Sequence, residues 1–366
     1  MARQKKRKKI GVLTGGGDCP GLNAVIRGVV KASISKYDME VLGIEDGYEG
    51  LIEKRVVPMD WRKVSGILTQ GGTILGTSNI ANPFRWPVKE NGKTTFIDIS
   101  DKVADYIDKL ELDNLVCIGG DGTMAIAQQL SQKGIRMVGV PKTIDNDIWG
   151  TDITFGFDSA LNTASEAVDK IHTTAMSHHR VMVVEVMGRY AGWLALESGI
   201  AGGGDVILIP EIPYNLETIC SFVLKRSKEG RRFSIVVVAE GAKPKGGDLV
   251  VQRVVKDSTD PVRLGGIGHK VAFDIEEKTG LESRVTVLGH LLRGGTPSAY
   301  DRILATRFGV KAAELCYDGV GGVMVAVRGS DIVAVPLSDI GGKMRLVSAD
   351  HPLIEVAHNV GTCLGD

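Results

Sequence analysis

The stretch PKTIDND, residues 141–147, decides how this chain is organised. It places two carboxylates, Asp145 and Asp147, close together beside a hydroxyl and a cation. The apolar run Met137 to Val140 precedes it and is typical of a buried strand, so the charged cluster is expected where a strand ends in a loop. In open α/β sheets that edge is where ligands bind. The stretch therefore predicts a ligand site directly after this strand.

The same pattern occurs about twenty residues earlier in the chain. Leu115 to Ile118 is apolar, GGDGT follows at residues 119–123, and helical spacing begins at Met124. A strand, a glycine turn and a helix N-terminus present backbone N–H groups to an anion. Asp121 would repel a phosphate there unless a divalent metal lay between them. The two loops together predict a metal–phosphate site next to a general base.

A third strand, loop and helix stand near the N-terminus, where the apolar run Ile10 to Leu13 is followed by GGGDCPGLNAVIRG at residues 15–28. Three such units on one chain should converge on one crevice. In the second half, apolar and β-branched runs such as Val181 to Val186 and Ile235 to Ala239 alternate with helical patterns. This alternation predicts a second parallel sheet.

Composition limits the possible classes of function. A chain of 366 residues fits two domains, and its 44 basic and 44 acidic side chains give no bulk charge that would indicate nucleic acid or a membrane as partner. Five cysteines without CxxC spacing favour packed free thiols in a reducing compartment. The basic start RQKKRKK, residues 3–9, is expected to be a solvated tail. Because no apolar run approaches the ~20 residues that span a bilayer, a soluble cytoplasmic protein is expected.

Seven motifs occur in one order between about Lys9 and Arg302, and they carry a specific resemblance. They are GGGDCPGLNAVIRG from Gly15, GGTILGT from Gly71, GGDGT from Gly119, PKTIDND from Pro141, MGRYAGWLA from Met187, AEGA from Ala239 and VLGHLLRGG from Val287. The chain resembles the 6-phosphofructokinase family. A lone GGDG would be weak evidence, since NAD kinases and lipid kinases are similar there, but seven ordered motifs are far more specific.

The resemblance implies an α/β fold of two doubly wound domains with largely parallel sheets, and an active site in the cleft between them. A large domain that binds nucleotide and Mg²⁺ would comprise residues 9–156 plus 292–341. A small domain that binds the sugar phosphate would comprise residues 157–291 plus 342–366. The working form would be a homo-oligomer, with a tetramer expected, because relatives share active sites between subunits.

The reaction that the resemblance implies is phosphorylation of fructose 6-phosphate at its 1-hydroxyl by ATP, giving fructose 1,6-bisphosphate and ADP. Asp145 would accept the proton of that hydroxyl, Thr143 would orient the transferring group, and Asp147 would support the base and the metal-water shell. Asp121 would hold Mg²⁺ on the donor phosphates. Phosphoryl transfer depends mainly on positioning and charge neutralisation.

On the donor side, the resemblance assigns seven residues: Gly16, Tyr48, Asn79, Gly120, Asp121, Gly122 and Thr123. Tyr48 would stack on the base, although a ring packed under its loop is an equal alternative. Relatives that use ATP often carry an arginine where Asn79 stands, which leaves open how charge is neutralised. Arg85, in the loop Asn82 to Lys93, is one candidate to replace it, although a loop arginine is usually only solvated.

On the acceptor side, the resemblance assigns eleven residues: Thr143, Ile144, Asp145, Arg180, Met187, Gly188, Arg189, Glu240, Arg284, His290 and Arg293. Arg284, His290 and Arg293 fall within ten residues, and the arginine fork matches phosphate oxygens, so they suit a sugar 6-phosphate. In relatives the arginines corresponding to Arg180 and Arg284 come from a neighbouring subunit. Glu240 would accept hydrogen bonds from sugar hydroxyls.

Two residues bear on the identity of the donor. In the family, glycine at the position of Gly122 leaves room for the α-phosphate of ATP, whereas lysine at the position of Lys142 is usual in pyrophosphate enzymes. An added carboxylate at residue 122 would clash with the α-phosphate, while a lysine can swing away on its flexible stem. This asymmetry favours ATP, with pyrophosphate as the alternative donor.

Three other functions compete with this interpretation. A protein of the NAD kinase kind would leave PKTIDND and the HLLRGG arginine without a role. A dinucleotide oxidoreductase would need a third glycine where Pro20 stands. A silent sugar-phosphate or nucleotide sensor should have lost Asp121 or Asp145, and both are present.

Overall fold

The computed structural model of the protein describes residues 6–90, 93–254 and 262–366. The strands in these ranges are β1 (Lys9–Thr14), β2 (Glu40–Ile44), β3 (Val56–Met59), β4 (Trp86–Glu90), β5 (Lys93–Ile97), β6 (Asn114–Gly119), β7 (Met137–Thr143), β8 (Phe155–Gly156), β9 (Val181–Val186), β10 (Val206–Leu208), β11 (Ser234–Ala239), β12 (Val251–Val254), β13 (Val262–Leu264), β14 (Ser283–Val287), β15 (Val323–Arg328) and β16 (Asp331–Pro336). The helices are α1 (Leu22–Ser35), α2 (Tyr48–Glu53), α3 (Ser100–Lys109), α4 (Asp121–Gln132), α5 (Phe157–His178), α6 (Trp193–Ala201), α7 (Leu216–Lys228), α8 (Ile267–Thr279), α9 (Ala299–Tyr317) and α10 (Pro352–Asn359). Short 3₁₀ turns lie at Ile67–Thr69, Gly289–Arg293 and Leu337–Asp339.

The chain forms two compact units, and the first contains the described residues up to Thr143 together with Ile148–Gly156 and Arg293–Met344. Its sheet has the strand order β16-β15-β7-β6-β1-β2-β3, with β8 paired to the end of β7. The strands from β15 to β2 are parallel, while β3 and β16 pair antiparallel at the two edges. The central strands β1, β6 and β7 are mostly apolar and are buried along nearly their whole length, because a parallel sheet is covered on both faces.

The second unit contains Ile144–Asp147, Phe157–Leu292 and Arg345–Asp366. Its sheet has the order β10-β11-β9-β14, and every pairing in it is parallel. Val181, Val183, Val236 and Val238 pack in one core cluster with apolar residues of α7 and α8. The prediction of a second parallel sheet is therefore confirmed, and the fold class is α/β with largely parallel sheets.

Three of the predicted boundaries differ from those in the structure. β7 continues past Val140 to Thr143, because Lys142 and Thr143 pair with the short strand β8. α4 begins at Asp121 rather than at Met124, so the glycine turn is already its first turn. The segment predicted as a loop from Asn82 to Lys93 includes strand β4, which forms a hairpin with β5.

The cysteines agree with their prediction, whereas the basic start does so only in part, because Lys9 begins strand β1 and pairs with Glu40. Residues 3–5 of the basic start lie outside the described residues, and Arg7 forms an exposed ion pair with Asp38. All five cysteines are free. Burial raises the pKa of the Cys19 and Cys117 thiols to about 12, so both stay protonated at neutral pH.

Two glycines allow α1 and α9 to cross closely in the first unit. A Cβ added to Gly309 of α9 would lie 2.5 Å from the carbonyl O of Val25 and 2.8 Å from the backbone N of Val29. Gly28 of α1 lies opposite. A Cβ added to Gly28 would lie 3.3 Å from the Cα of Gly309. The helix spacing therefore requires residues without a side chain at this crossing.

Replacement of Gly309 by alanine should lower the free energy of unfolding by about 1–3 kcal/mol, because backbone rather than a flexible side chain blocks the methyl group. Urea unfolding followed by circular dichroism measures this loss. Gly122→Ala is the matched control, since a Cβ at this helical position would meet nothing within 4 Å. Equal unfolding midpoints for the two variants would contradict the packing argument.

Candidate active site

In chain order, the first glycine loop begins at Gly15, the second at Gly71 and the third at Gly119. The first and third loops meet at one buried side chain, that of Thr123. A Cβ added to Gly15 would lie 2.8 Å from Thr123 Oγ1, and a Cβ added to Gly119 would overlap the same threonine. The backbone N–H of Gly15 also donates to the carbonyl O of Ile118 at 2.9 Å. The two loops therefore pack together because both present glycine to the first turn of α4.

The second glycine loop, which begins at Gly71, is hydrogen-bonded to the first. Thr14 Oγ1 donates to the carbonyl O of Gly76 at 2.6 Å, and the N–H of Gly16 donates to the carbonyl O of Ser78 at 3.2 Å. Thr77 Oγ1 donates to the carbonyl O of Gly16 at 2.5 Å. Within the first unit, two of the three loops that the sequence predicts to converge, those after β1 and β6, lie together. The remaining segment, at the end of β7, contacts the first loop through Lys142.

Three successive carbonyls of the first loop accept side-chain donors from distant segments. Gly16 binds Thr77, Gly17 binds the Lys142 ammonium, and the carbonyl O of Asp18 accepts Arg293 Nη1 at 3.2 Å. Because the C=O and N–H of a trans peptide point in opposite directions, these donors also orient the amides that follow. The first loop is thus tethered before any ligand binds.

One argument about the donor needs correction from this geometry. Lys142 is only 4% exposed and donates to the first loop, so it is not the freely swinging side chain that the donor argument assumed. Arg293 lies in the first unit against Gly17 and Asp18, and its role toward a sugar phosphate stays a prediction. Both cations support the glycine loop in this structure.

Asp121 and Gly122 occupy the first turn of α4, after Gly120 at its N-cap. Helix N-termini favour anions, and partial burial raises the pKa of Asp121 above its ordinary value. A Cβ at Gly122 would face open space, with nothing within 4 Å.

Among the described residues, no cluster of three or more His, Cys, Asp or Glu side chains could hold a metal on its own. Asp121 suits Mg²⁺ instead, because this ion usually takes one or two carboxylates and completes its shell with phosphate and water.

Tyr48 lies under the site rather than in it. Its side chain is 3% exposed, packs in the core cluster with Leu13 and Cys117, and donates from its hydroxyl to the carbonyl O of Thr123 at 3.0 Å. Stacking on a nucleotide base is therefore wrong for this ring as it lies here. The alternative, a ring packed under its loop, fits the structure.

Asn79, where the arginine of relatives is missing, and Arg85, its candidate replacement, lie in different segments of the first unit. Asn79 is exposed in the second glycine loop. Arg85 precedes the β4–β5 hairpin, where its guanidinium carbon lies 4.4 Å from the centre of the Phe96 ring. A cation that stacks on a partly exposed ring is already occupied in packing, so Arg85 has no contact here that indicates a catalytic role.

Ile144 and Asp145 open the segment that the chain contributes to the second unit. Ile144 is buried, and Asn146 adopts a left-handed backbone with φ 53°. Asp147 accepts, through its carbonyl O, the backbone N–H of Arg345 at 2.8 Å. The candidate base therefore lies in a bend whose backbone is bonded to the distant residue Arg345.

Four of the predicted sugar-binding positions follow adjacent strands of the second sheet. Met187, Gly188 and Arg189 follow β9, and Glu240 follows β11. The N–H of Glu240 donates to the carbonyl O of Val186 at 2.9 Å, which joins the two strand ends. His290 follows β14, on the other side of β9. These residues therefore share the carboxyl edge where α/β sheets bind ligands.

Arg180 and Arg284 lie at the opposite edge of the same sheet. Arg180 precedes β9, and Arg284 pairs in register with Met182 near the start of that strand. Both arginines form ion pairs with Glu282, that of Arg180 Nε at 2.9 Å. The length of β9, about 17 Å at ~3.3 Å per residue, separates them from Arg189 and Glu240 of the same chain.

The comparisons with known proteins identify the family. The family model described as Phosphofructokinase matches residues 9–316. The chain therefore belongs to the phosphofructokinase family, as its ordered motifs predicted.

Individual relatives differ in the donor that their names give. The chain is 52% identical over 364 residues to an ATP-dependent 6-phosphofructokinase 2 of Clostridium perfringens, covering 98% of this chain and 99% of the relative. It is 50% identical over 340 residues to a pyrophosphate–fructose 6-phosphate 1-phosphotransferase of Streptomyces coelicolor, covering 93% and 96%. Overall identity by itself does not separate the two donors.

A solved phosphofructokinase from Saccharomyces cerevisiae has a similar fold, with a TM-score of 0.76 and 34% identity. The alignment covers 91% of this chain and 45% of the yeast chain.

In the part of the chain that the structure describes, none of the helices combines the length and the apolar character needed to cross a membrane.

The position of Tyr48 leads to a test. Tyr48→Phe should leave KM for ATP within about twofold of wild type and lower the free energy of unfolding by about 1 kcal/mol, because it removes one buried hydrogen bond and keeps the ring. Tyr48→Leu removes the ring as well and should lower stability further, by about 3 kcal/mol in total. Steady-state kinetics and urea unfolding measure both effects. A large rise in KM for ATP in the leucine variant, with unfolding unchanged, would restore the ring to base stacking.

Proposed function

We propose that this site carries out the ATP-dependent phosphorylation of fructose 6-phosphate, giving fructose 1,6-bisphosphate and ADP in glycolysis. Family membership and the curated ATP-dependent relative support the reaction. The observation that carries the assignment within this chain is the packing of the glycine loops after β1 and β6 on Thr123, with Asp121 in the first turn of a helix. This arrangement suits a polyphosphate and a divalent cation.

Asp145 is the proposed general base. It takes the proton of the sugar 1-hydroxyl while the oxygen attacks the terminal phosphoryl group, and such a base typically contributes ~10²- to 10⁴-fold. Thr143 orients the transferring group, and Asp147 supports the base. Ile144 shapes the sugar side of this turn. Because phosphoryl transfer needs little covalent chemistry from the protein, the tethering of these loops supplies most of the catalysis.

Asp121 is the proposed protein ligand of Mg²⁺, with the remaining positions taken by donor phosphates and water. The ion supplies charge neutralisation on the donor phosphates when bound. Burial raises the pKa of the Asp121 carboxyl group, and a cation beside this group would lower that pKa again. Gly16, Gly120 and Thr123 position the phosphate-binding backbone around it.

The sugar phosphate is held by residues of two subunits in this proposal. Met187, Gly188, Arg189, Glu240 and His290 bind the sugar from one chain. Arg180 and Arg284, which lie about a strand length from them, serve the site of a neighbouring subunit. Shared sites require a homo-oligomer, and a tetramer in the cytoplasm is the form we propose.

Pyrophosphate is the second candidate donor, and Lys142 together with the Streptomyces relative favours it. The open space beside Gly122 favours ATP, since this is the room that an α-phosphate needs. The Lys142 ammonium donates to the Gly17 carbonyl, a position that leaves this space open. We therefore propose ATP as the donor.

Asp145→Asn should lower kcat by about 10²- to 10⁴-fold with little change in KM for fructose 6-phosphate, because the amide keeps the shape and cannot accept the proton. ADP release in a coupled assay measures the rate. Asp105→Asn, an exposed position in α3, is the matched control. Turnover close to wild type in Asp145→Asn would remove this residue from catalysis.

Gly122→Asp should lower kcat/KM for ATP at least about tenfold more than for pyrophosphate, because a carboxylate would occupy the space of the α-phosphate and repel it. Gly122→Asn has nearly the same size without the charge and separates the two causes. Initial rates with each donor in turn give the comparison. Equal losses with both donors would contradict the steric account.

A further inference from the structure

Arg345 contacts the turn that carries Asp145 at two successive residues. Its guanidinium Nη1 donates to the carbonyl O of Asn146 at 3.1 Å, and its backbone N–H donates to the carbonyl O of Asp147 at 2.8 Å. It lies 199 positions after Asn146 in the chain and outside all seven motifs. One distant residue thus binds both carbonyls that follow the candidate base.

The backbone after Asp145 adopts an uncommon conformation. Asn146 is not glycine, yet it adopts φ 53° while its side chain is buried. A residue stays in this sparsely populated region only when surrounding contacts determine it. Since a peptide plane carries its C=O and N–H in opposite directions, holding the Asn146 carbonyl also fixes the amide of Asp147. Arg345 therefore restrains the backbone immediately after Asp145.

Arg345 is itself held by Trp193, the first residue of α6. The Trp193 Nε1–H donates to the carbonyl O of Arg345 at 2.8 Å, and the guanidinium carbon lies 4.0 Å from the centre of the indole ring. Trp193 is 3% exposed and packs edge-on against His351. A cation on the face of a buried indole has few alternative positions, so the restraint on the turn is rigid.

We infer that Arg345 is a positioning residue for Asp145 in phosphoryl transfer. The inference rests on the proposed function, in which Asp145 is the base. Arg345 acts through the Asn146 and Asp147 backbone and holds the carboxylate of Asp145 in the orientation that proton transfer requires. Small displacements of catalytic groups cost about 10²-fold in rate, which sets the size of the effect.

The first experiment compares Arg345→Ala with Arg345→Lys. The alanine variant should lower kcat by about 10- to 100-fold while KM for both substrates changes less than about threefold. Lysine keeps a cation that can donate to Asn146 and should recover at least part of the rate. Arg328→Ala, which removes an exposed ion pair with Asp152, is the control and should keep wild-type kcat. Rates are expressed per folded molecule, with folding checked by circular dichroism. Wild-type kcat in folded Arg345→Ala would overturn the inference.

A second experiment separates positioning of the base from general support of the fold. If Arg345 acts through Asp145, then Arg345→Ala should cost at most about twofold when added to Asp145→Asn, since effects within one catalytic unit do not add. Independent, multiplicative losses would overturn the inference and leave the base assignment intact. Wild-type turnover of Asp145→Asn alone would instead remove the base assignment and, with it, the inference.

Two milder variants keep the inference testable if Arg345→Ala fails to fold. Arg345→Lys preserves the cation, and Trp193→Phe keeps an aromatic face while removing the Nε1–H donor to Arg345. Both should lower kcat, by several fold, without changing KM. Folded variants that both retain wild-type kcat would overturn the inference.

Discussion

The packing of one threonine between two glycines is the contact on which the first unit's site depends. Thr123 can lie against Gly15 and Gly119 only because neither residue has a side chain, and this brings the loops after β1 and β6 into contact at the start of α4. Tyr48 supports the same turn from below through the Thr123 carbonyl. The N-terminus of α4 and its carboxylate are thereby held beside the first glycine loop, where a polyphosphate with a bound cation can be neutralised.

Long cationic side chains share one task across both units. Lys142 and Arg293 bind carbonyls of Gly17 and Asp18 in the first unit, and Arg345 binds the Asn146 carbonyl in the second. Charge-assisted hydrogen bonds of this kind hold irregular backbone that lacks the ladder bonds of strands and helices. The cations therefore order the backbone of these loops.

The sequence sufficed for elements whose pattern is local. β9 was predicted with its bounds correct, because a run of apolar residues interrupted only by Glu185 signals a buried parallel strand. The contact between the loops after β1 and β6 was predicted from glycines that follow such runs. The start of α4 was placed too late, since glycines disfavour helix and hid its first turn. The extension of β7 depends on pairing with β8. The hydrogen bond from Arg293 to Asp18 spans 275 positions, and the one from Arg345 to Asn146 spans 199. None of these contacts has a local signal in the sequence.

The central claim is that the site transfers a phosphoryl group from ATP to fructose 6-phosphate. The most direct test is the initial rate of fructose 1,6-bisphosphate formation by the unmodified protein with Mg²⁺, measured with ATP in one series and with pyrophosphate in the other. The account predicts turnover with ATP and little or none with pyrophosphate. Turnover with pyrophosphate alone would contradict the donor assignment, and the absence of product with either donor would contradict the function itself.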